Sequence, residues 1–131
     1  MVIDSSAVLA IFLAEPEGEQ FLKLIANAPR KLISAASVLE SGIALESRHG
    51  ENAGREFDLF VLRAGLEIIS VDAEQIEIAR SAWRRFGKGR HPAALNFGDC
   101  FTYALAKSSG ERLLAKGADF ARTDVELCAL P

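Results

Sequence analysis

The chain is expected to adopt an α/β fold, a parallel sheet flanked by helices on both faces. Short, apolar, β-rich segments alternate along it with longer segments whose apolar residues recur at helical spacing. Two stretches carry the reading. Glu67-Ile68-Ile69-Ser70-Val71 is the clearest strand, bounded by turn residues. Met1-Val2-Ile3-Asp4-Ser5-Ser6 is a short apolar run ending in an acid, followed at once by the apolar segment Ala7 to Leu13. That pattern describes a buried strand delivering Asp4 at its carboxyl end, where a helix begins. In open α/β sheets this rim is where ligands bind.

The remaining elements follow in order. Glu15-Pro16-Glu17-Gly18 breaks the first helix, because proline lacks a donor and restricts the residue before it. Phe21, Leu24, Ile25 and Ala28 mark a second helix closed by Pro29, and Lys31-Leu32-Ile33-Ser34 is a second buried strand. A third helix is predicted to start near Ser37, with Glu40 three residues on as a capping box, and to end at His49-Gly50. Glu51 to Ala64 reads as a fourth helix stopped by Gly65. Asp72 caps the helix after the clear strand, and Ile76, Ala79, Trp83 and Phe86 mark one face of it. Phe97 to Ala106 is a strongly apolar helix. Leu113-Leu114 and Leu127-Cys128-Ala129 are two late, short strands. No repeat, linker or low-complexity stretch divides the chain, so residues 1–131 are expected to form one domain.

Composition excludes several classes. Half the residues are apolar and a quarter charged, an ordinary balance for a globular protein. The net charge of -3 argues against a bulk nucleic-acid binder, so any nucleic-acid contact would have to rest on a local patch. Cys100 and Cys128 are too few for a disulfide framework and have no metal-type partner at close spacing, which suggests a reduced, cytoplasmic setting. No basic stretch precedes an apolar one at the start, and no apolar run approaches the roughly 20 residues of a membrane span.

Four acids stand at element boundaries or in apolar surroundings: Asp4, Glu40, Asp99 and Asp119. Each has a local explanation. Asp4 can cap a helix, Glu40 can complete a capping box, Asp99 can answer a helix dipole, and Asp119 can close a turn. Jointly they suggest more, because a parallel sheet brings the carboxyl ends of its strands to one rim. Converging carboxylates repel one another and raise at least one pKa unless a cation is present. Mg²⁺ suits such oxygen ligands, and phosphodiester hydrolysis by metal-activated water suits such a site. An aspartyl-phosphate enzyme is disfavoured because Ser6, not a second Asp, lies two residues after Asp4. The Asp4-Ser5-Ser6-Ala7 turn also lacks the glycines of a nucleotide-binding fingerprint.

Val2-Ile3-Asp4-Ser5-Ser6-Ala7, Glu40, Asn96-Phe97-Gly98-Asp99-Cys100, Tyr103-Ala104-Leu105-Ala106, and Leu113 to Phe120 with Thr123-Asp124 resemble the PIN-domain ribonucleases. The resemblance spans essentially the whole chain and is closest to the VapC toxins of bacterial toxin–antitoxin pairs. It implies a sheet in the order 3-2-1-4-5, a Mg²⁺ or Mn²⁺ site, endonucleolytic RNA cleavage, and a cognate VapB-type antitoxin that covers the groove and inhibits. By the same resemblance Asp4 and Asp99 are the primary metal ligands, and Glu40 and Asp119 complete the catalytic cluster. Ser5 stands where the family often has Thr and keeps the hydroxyl. The competing readings are a non-catalytic binding module of the same fold and a metal-dependent nuclease acting on DNA.

The one concentrated basic stretch, Arg84 to Pro92, runs towards Asn96 and Asp99. Arg85, Lys88 and Arg90 are its candidate RNA-phosphate contacts, in a loop that its glycines would make mobile, and Asn96 and Ser5 are candidates for orienting substrate or a metal-bound water. His91 is read as a plain loop histidine. The first helix is apolar all round, and Phe57, Leu59, Phe60, Val61 and Leu62 give the fourth helix more apolar surface than one core face uses. Part of that surface is expected to meet a second copy of the chain in a homodimer, and part an antitoxin helix.

Overall fold

The computed structural model describes residues 1–130. In chain order the elements are β1 (Val2–Ile3), α1 (Ser5–Phe12), α2 (Gly18–Asn27), β2 (Leu32–Ser34), α3 (Ala35–His49) and α4 (Glu51–Arg63). They continue with β3 (Glu67–Ile69), α5 (Ala73–Phe86), α6 (Phe97–Ser109), β4 (Leu113–Leu114) and a short 3₁₀ turn, Phe120–Arg122. The strands form one parallel sheet in the order β3-β2-β1-β4, with Val2 opposite Leu32 on one side and Leu113 on the other.

Strand periodicity distributes the core. Val2, Leu32 and Leu113 pack to one face with Ala79, Ala82, Phe86, Tyr103 and Leu105 of α5 and α6. Ile3, Ile33 and Leu114 pack to the other with Val8, Phe21, Ile25, Leu45 and Phe57 of α1 to α4. The strands are two or three residues long; β1, β2 and β4 are buried on both sides, as strands between two helical layers must be, whereas the edge strand β3 is exposed at Glu67 and Ile68. Their carboxyl ends then fall on one rim.

Several expectations change in detail. The expected fifth strand, Leu127-Cys128-Ala129, is reduced to a single bridge beside β4. Leu113 N–H donates to the Glu126 carbonyl at 2.9 Å and Cys128 N–H to the Leu113 carbonyl at 2.9 Å. A partner strand of only two residues can sustain little more. Helix α3 starts one turn earlier than predicted, because Ser34 at the end of β2 accepts from Ala36 N–H at 3.2 Å and caps it. Ser37 is therefore inside the helix, and no Ser37–Glu40 capping box forms. On α5 the buried stripe is Gln75, Ala79, Ala82 and Phe86, which leaves Ile76 and Trp83 half exposed. Helix α1 buries Ala7, Val8 and Ala10 but leaves Leu9, Ile11 and Phe12 only half covered. On α4, Phe57 is buried while Leu62 is 77% exposed.

Close approach of α1 and α2 depends on Gly18, where a Cβ would lie 2.5 Å from the Ala10 carbonyl oxygen. That contact is with backbone and cannot swing aside. Gly18→Ala is therefore expected to cost about 1–3 kcal/mol, read as a lowered urea midpoint, the usual penalty of overpacking; an unchanged midpoint would show that the two helices can separate freely.

Candidate functional site

The rim is built from three helix N-termini and one loop. Asp4 follows β1 and caps α1: its Oδ2 accepts from Ser6 N–H at 3.0 Å, and the residue is only 2% exposed. Its Oδ1 accepts from the buried Thr102 hydroxyl at 2.6 Å. Asp99 lies in the first turn of α6, where it forms a reciprocal capping box with Asn96. Each side chain accepts from the other's backbone N–H at 2.9 Å. Local capping and membership of an acidic cluster are thus compatible for Asp4 and Asp99, because capping takes only one oxygen of each. For Asn96 the cap commits the carboxamide oxygen to Asp99 N–H.

Glu40 is reached from two sides. Its Oε1 accepts from the Ser5 hydroxyl at 2.7 Å. Its carboxylate also lies against Gly98, where a Cβ would sit 2.3 Å from Oε2. Glycine at 98 is what lets α3 present Glu40 beside the first turn of α6. Asp119 is exposed at the head of the 3₁₀ turn and its side chain caps nothing. Its loop is tethered instead at Lys116. The backbone N–H of that residue donates to the Ser6 hydroxyl at 2.9 Å, and its ammonium pairs with Glu15 and with Glu17 at 3.6 Å.

Electrostatics join the four acids. Burial first, and then the charges of Asp4, Asp119 and Glu40, raise Asp99 from its ordinary 3.8 to about 6, against the lowering effect of the Asn96 N–H. Among the described residues no three Asp, Glu, His or Cys side chains form a ready-made metal cage. The donor set nevertheless fits a hard divalent ion. Every available donor is a carboxylate oxygen, the repulsion felt by Asp99 is of the kind a cation relieves, and Mg²⁺ commonly takes only one or two carboxylates with waters and phosphate oxygens.

The basic stretch is divided by the fold. Arg85 pairs with Asp124 at 3.3 Å, in a cluster where Tyr103 donates to Asp124 at 2.6 Å and Lys107 lies 3.2 Å away. Arg90 stacks over Trp83 at 4.6 Å. Lys88 lines an apolar groove of about 820 Å³ with Arg80, Arg84, Trp83, Asn96 and Phe97, and no acid lines it. The loop expected to be mobile is closed by its own hydrogen bonds, Lys88 N–H to Leu95 and Leu95 N–H to Phe86, both at 2.9 Å. His91 accepts from Ala93 N–H at 3.0 Å and packs edge-on to Phe86, as a structural loop histidine does.

Sequence reasoning missed Thr102 and Arg80, and gave Ser37, Ser6, Lys116 and Arg84 no functional role of their own. Thr102 had a visible signal, a polar threonine one turn after Asp99 in an otherwise apolar run.

A family model described as PIN domain matches residues 1–126. A ribonuclease VapC of Mycolicibacterium smegmatis is 54% identical over 125 residues, covering 95% of this chain and 97% of the relative. Ribonuclease VapC30 of Mycobacterium tuberculosis is 49% identical over 131 residues, covering all of both chains. Among solved structures, M. tuberculosis VapC20, described as a sarcin-ricin-loop-cleaving toxin, superposes with a TM-score of 0.80 at 20% identity over 99% of this chain and 98% of its own. VapBC2 of Rickettsia felis, described as bound to a DNA fragment from its promoter, gives 0.74 at 18% identity over 96% and 94%. These two likenesses concern the fold.

The raised Asp99 carries a sign that can be measured in chelator. Because its folded value of about 6 lies above the ordinary 3.8, the associated stability is complete below the ordinary value and lost as pH rises through the folded one. Thermal melts of the wild type and Asp99→Asn should converge in acid, and the wild type should fall progressively below the variant towards neutral pH. Parallel curves across the range would contradict the assignment.

Proposed function

The chain belongs to the PIN-domain family, and from that premise we propose that it is a metal-dependent endoribonuclease, the toxin of a VapBC-type toxin–antitoxin pair. The observation that carries the chemistry is the single rim on which Asp99 feels Asp4, Glu40 and Asp119 together. The full-length relatives named as VapC ribonucleases support the substrate class. Keeping all four acids on that rim favours an active enzyme over a binding module that has lost its chemistry.

Asp4 and Asp99 would hold Mg²⁺, or Mn²⁺, with Glu40 and Asp119 beside them directly or through water. The ion supplies activation of a water and neutralisation of charge on the scissile phosphate. The protein's own groups orient. Ser5 holds the Glu40 carboxylate, Ser6 holds the backbone of the loop that carries Asp119, and Asn96 fixes Asp99. RNA phosphates would run along the groove lined by Lys88, Arg80 and Arg84, since Arg85 and Arg90 are engaged within the fold. Exposed Leu39 and Ile43 of α3 form an apolar patch for a second copy of the chain, and Leu59 and Leu62 of α4 one for an antitoxin helix. Among the described residues no helix is long and apolar enough to cross a membrane; the proposed RNA substrate supports action in the cytoplasm.

Purified antitoxin-free protein should cut RNA at limited sites with Mg²⁺ or Mn²⁺ and not in chelator. Asp99→Asn should abolish the cuts without unfolding the chain. Intact RNA with either metal, across total cellular RNA, would refute the reading. Gly98→Ala is a finer probe: the added methyl displaces the Glu40 carboxylate, a flexible side-chain end, so cleavage should fall while the melting temperature holds. In equilibrium binding, replacing Arg80, Arg84 and Lys88 with Ala should flatten the salt dependence by about 0.7 of a log unit per lost contact on single-stranded RNA. An unchanged slope would place the RNA elsewhere.

A further inference from the structure

We propose that Thr102, with Ser37 behind it, is a positioning residue that fixes Asp4 relative to the helices carrying Glu40 and Asp99. This deepens the metal-nuclease reading and rests on it. Thr102 is buried and its Oγ1 donates to Asp4 Oδ1 at 2.6 Å, while the Ser37 hydroxyl lies 3.2 Å from the same Thr102 oxygen and is equally buried. A carboxylate can only accept, so the single Thr102 hydrogen goes to Asp4. Ser37 must then donate to Thr102, which sets one direction along the chain Ser37 to Thr102 to Asp4.

The placement is what gives this chain a role. Ser37 lies on α3 three residues before Glu40, and Thr102 lies on α6 three residues after Asp99. At that spacing each hydroxyl is one helical turn from the acid on its own helix. Asp4 stands at the end of β1. Two hydrogen bonds therefore staple the three acid-bearing elements together beneath the rim, where water does not compete with them. The staple also holds the Asp4 carboxylate in place, with Oδ1 and Oδ2 each taking one protein donor and keeping a further lone pair for a cation. Burial of Thr102 and Ser37 without these partners would leave polar atoms unsatisfied, so the arrangement is under the same constraint in the fold as in the site.

The test is Mn²⁺ binding to the full chain, read as the loss of free-ion signal in electron paramagnetic resonance without RNA. Thr102→Val keeps the shape and removes the hydroxyl; its affinity should fall by about tenfold to a hundredfold, the usual range for a group that orients a ligand. Thr102→Ser restores the hydroxyl and should bind within a small factor of the wild type. In an Asp4→Asn background, Thr102→Val should add little further loss, because its effect passes through Asp4. Ser37→Ala, a gentler change, should weaken binding in the same direction, and it carries the test if Thr102→Val does not fold in circular dichroism. Wild-type affinity in folded Thr102→Val, or equal losses in Thr102→Val and Thr102→Ser, would overturn the staple and leave the metal site standing. No Mn²⁺ binding by the wild type would overturn both.

Discussion

Like charge gathered on one rim is the constraint on which this structure depends. Asp4, Glu40, Asp99 and Asp119 come from four different parts of the chain, and the field of the other three is felt at Asp99. A sheet of two- and three-residue strands has little backbone pairing with which to resist that repulsion. It resists through the two apolar layers, in which side chains such as Val2, Ile3, Leu32, Ile33, Leu113 and Leu114 are almost wholly buried. Each such burial is worth about 1.5–3 kcal/mol, so the strands earn their stability from packing on both faces rather than from length. The helices they carry then have fixed N-termini, which present backbone donors to the same acids.

Local and functional bonding coincide here instead of competing. Asp4 and Asp99 each spend one oxygen on a cap and keep capacity for something else. Small residues make the convergence possible. Gly98 leaves room for Glu40 against α6, and the adjacent hydroxyls of Ser5 and Ser6 reach in different directions, one to the Glu40 carboxylate and one to the backbone of Lys116. A two-residue serine step at the start of α1 thereby reaches both the third helix and the last loop.

The surface separates charge in a way the net value of -3 hides. Acids occupy the rim, while Arg80, Arg84 and Lys88 line an apolar groove that shares Asn96 and Phe97 with the approach to Asp99. Other cations from the same stretch are consumed internally: Arg85 joins Lys107 and Tyr103 around Asp124. There, although burial opposes it, the hydrogen bonds of Tyr103 and Lys107 and the charges of Lys107 and Arg85 hold the Asp124 carboxyl below its usual value. Phe97 is 81% exposed beside this junction, and with Leu39 and Ile43 it makes an apolar face next to Glu40.

The sequence by itself determined the alternation of strands and helices, the rim, and the residues that stand on it. Apolar runs bounded by Pro, Gly and Asp are local signals, and an acid at the carboxyl end of a buried parallel strand, as Asp4 is, falls on that rim. Legible in the same way were the Asp72 cap, the stops at Gly50 and Gly65, and Asp99 in the first turn of its helix. What only the tertiary structure decided was which hydroxyl meets which acid. Thr102 finds Asp4 across 98 residues, Ser5 finds Glu40 across 35, and Ser37, whose spacing suggests a cap, turns inward to Thr102. It also reduced the last strand to one bridge and turned the buried face of α5 away from Trp83 and Ile76. Periodicity fixes a face to within a helical turn, but the angle at which one helix packs on another selects the side chains that touch, and no local pattern encodes that angle.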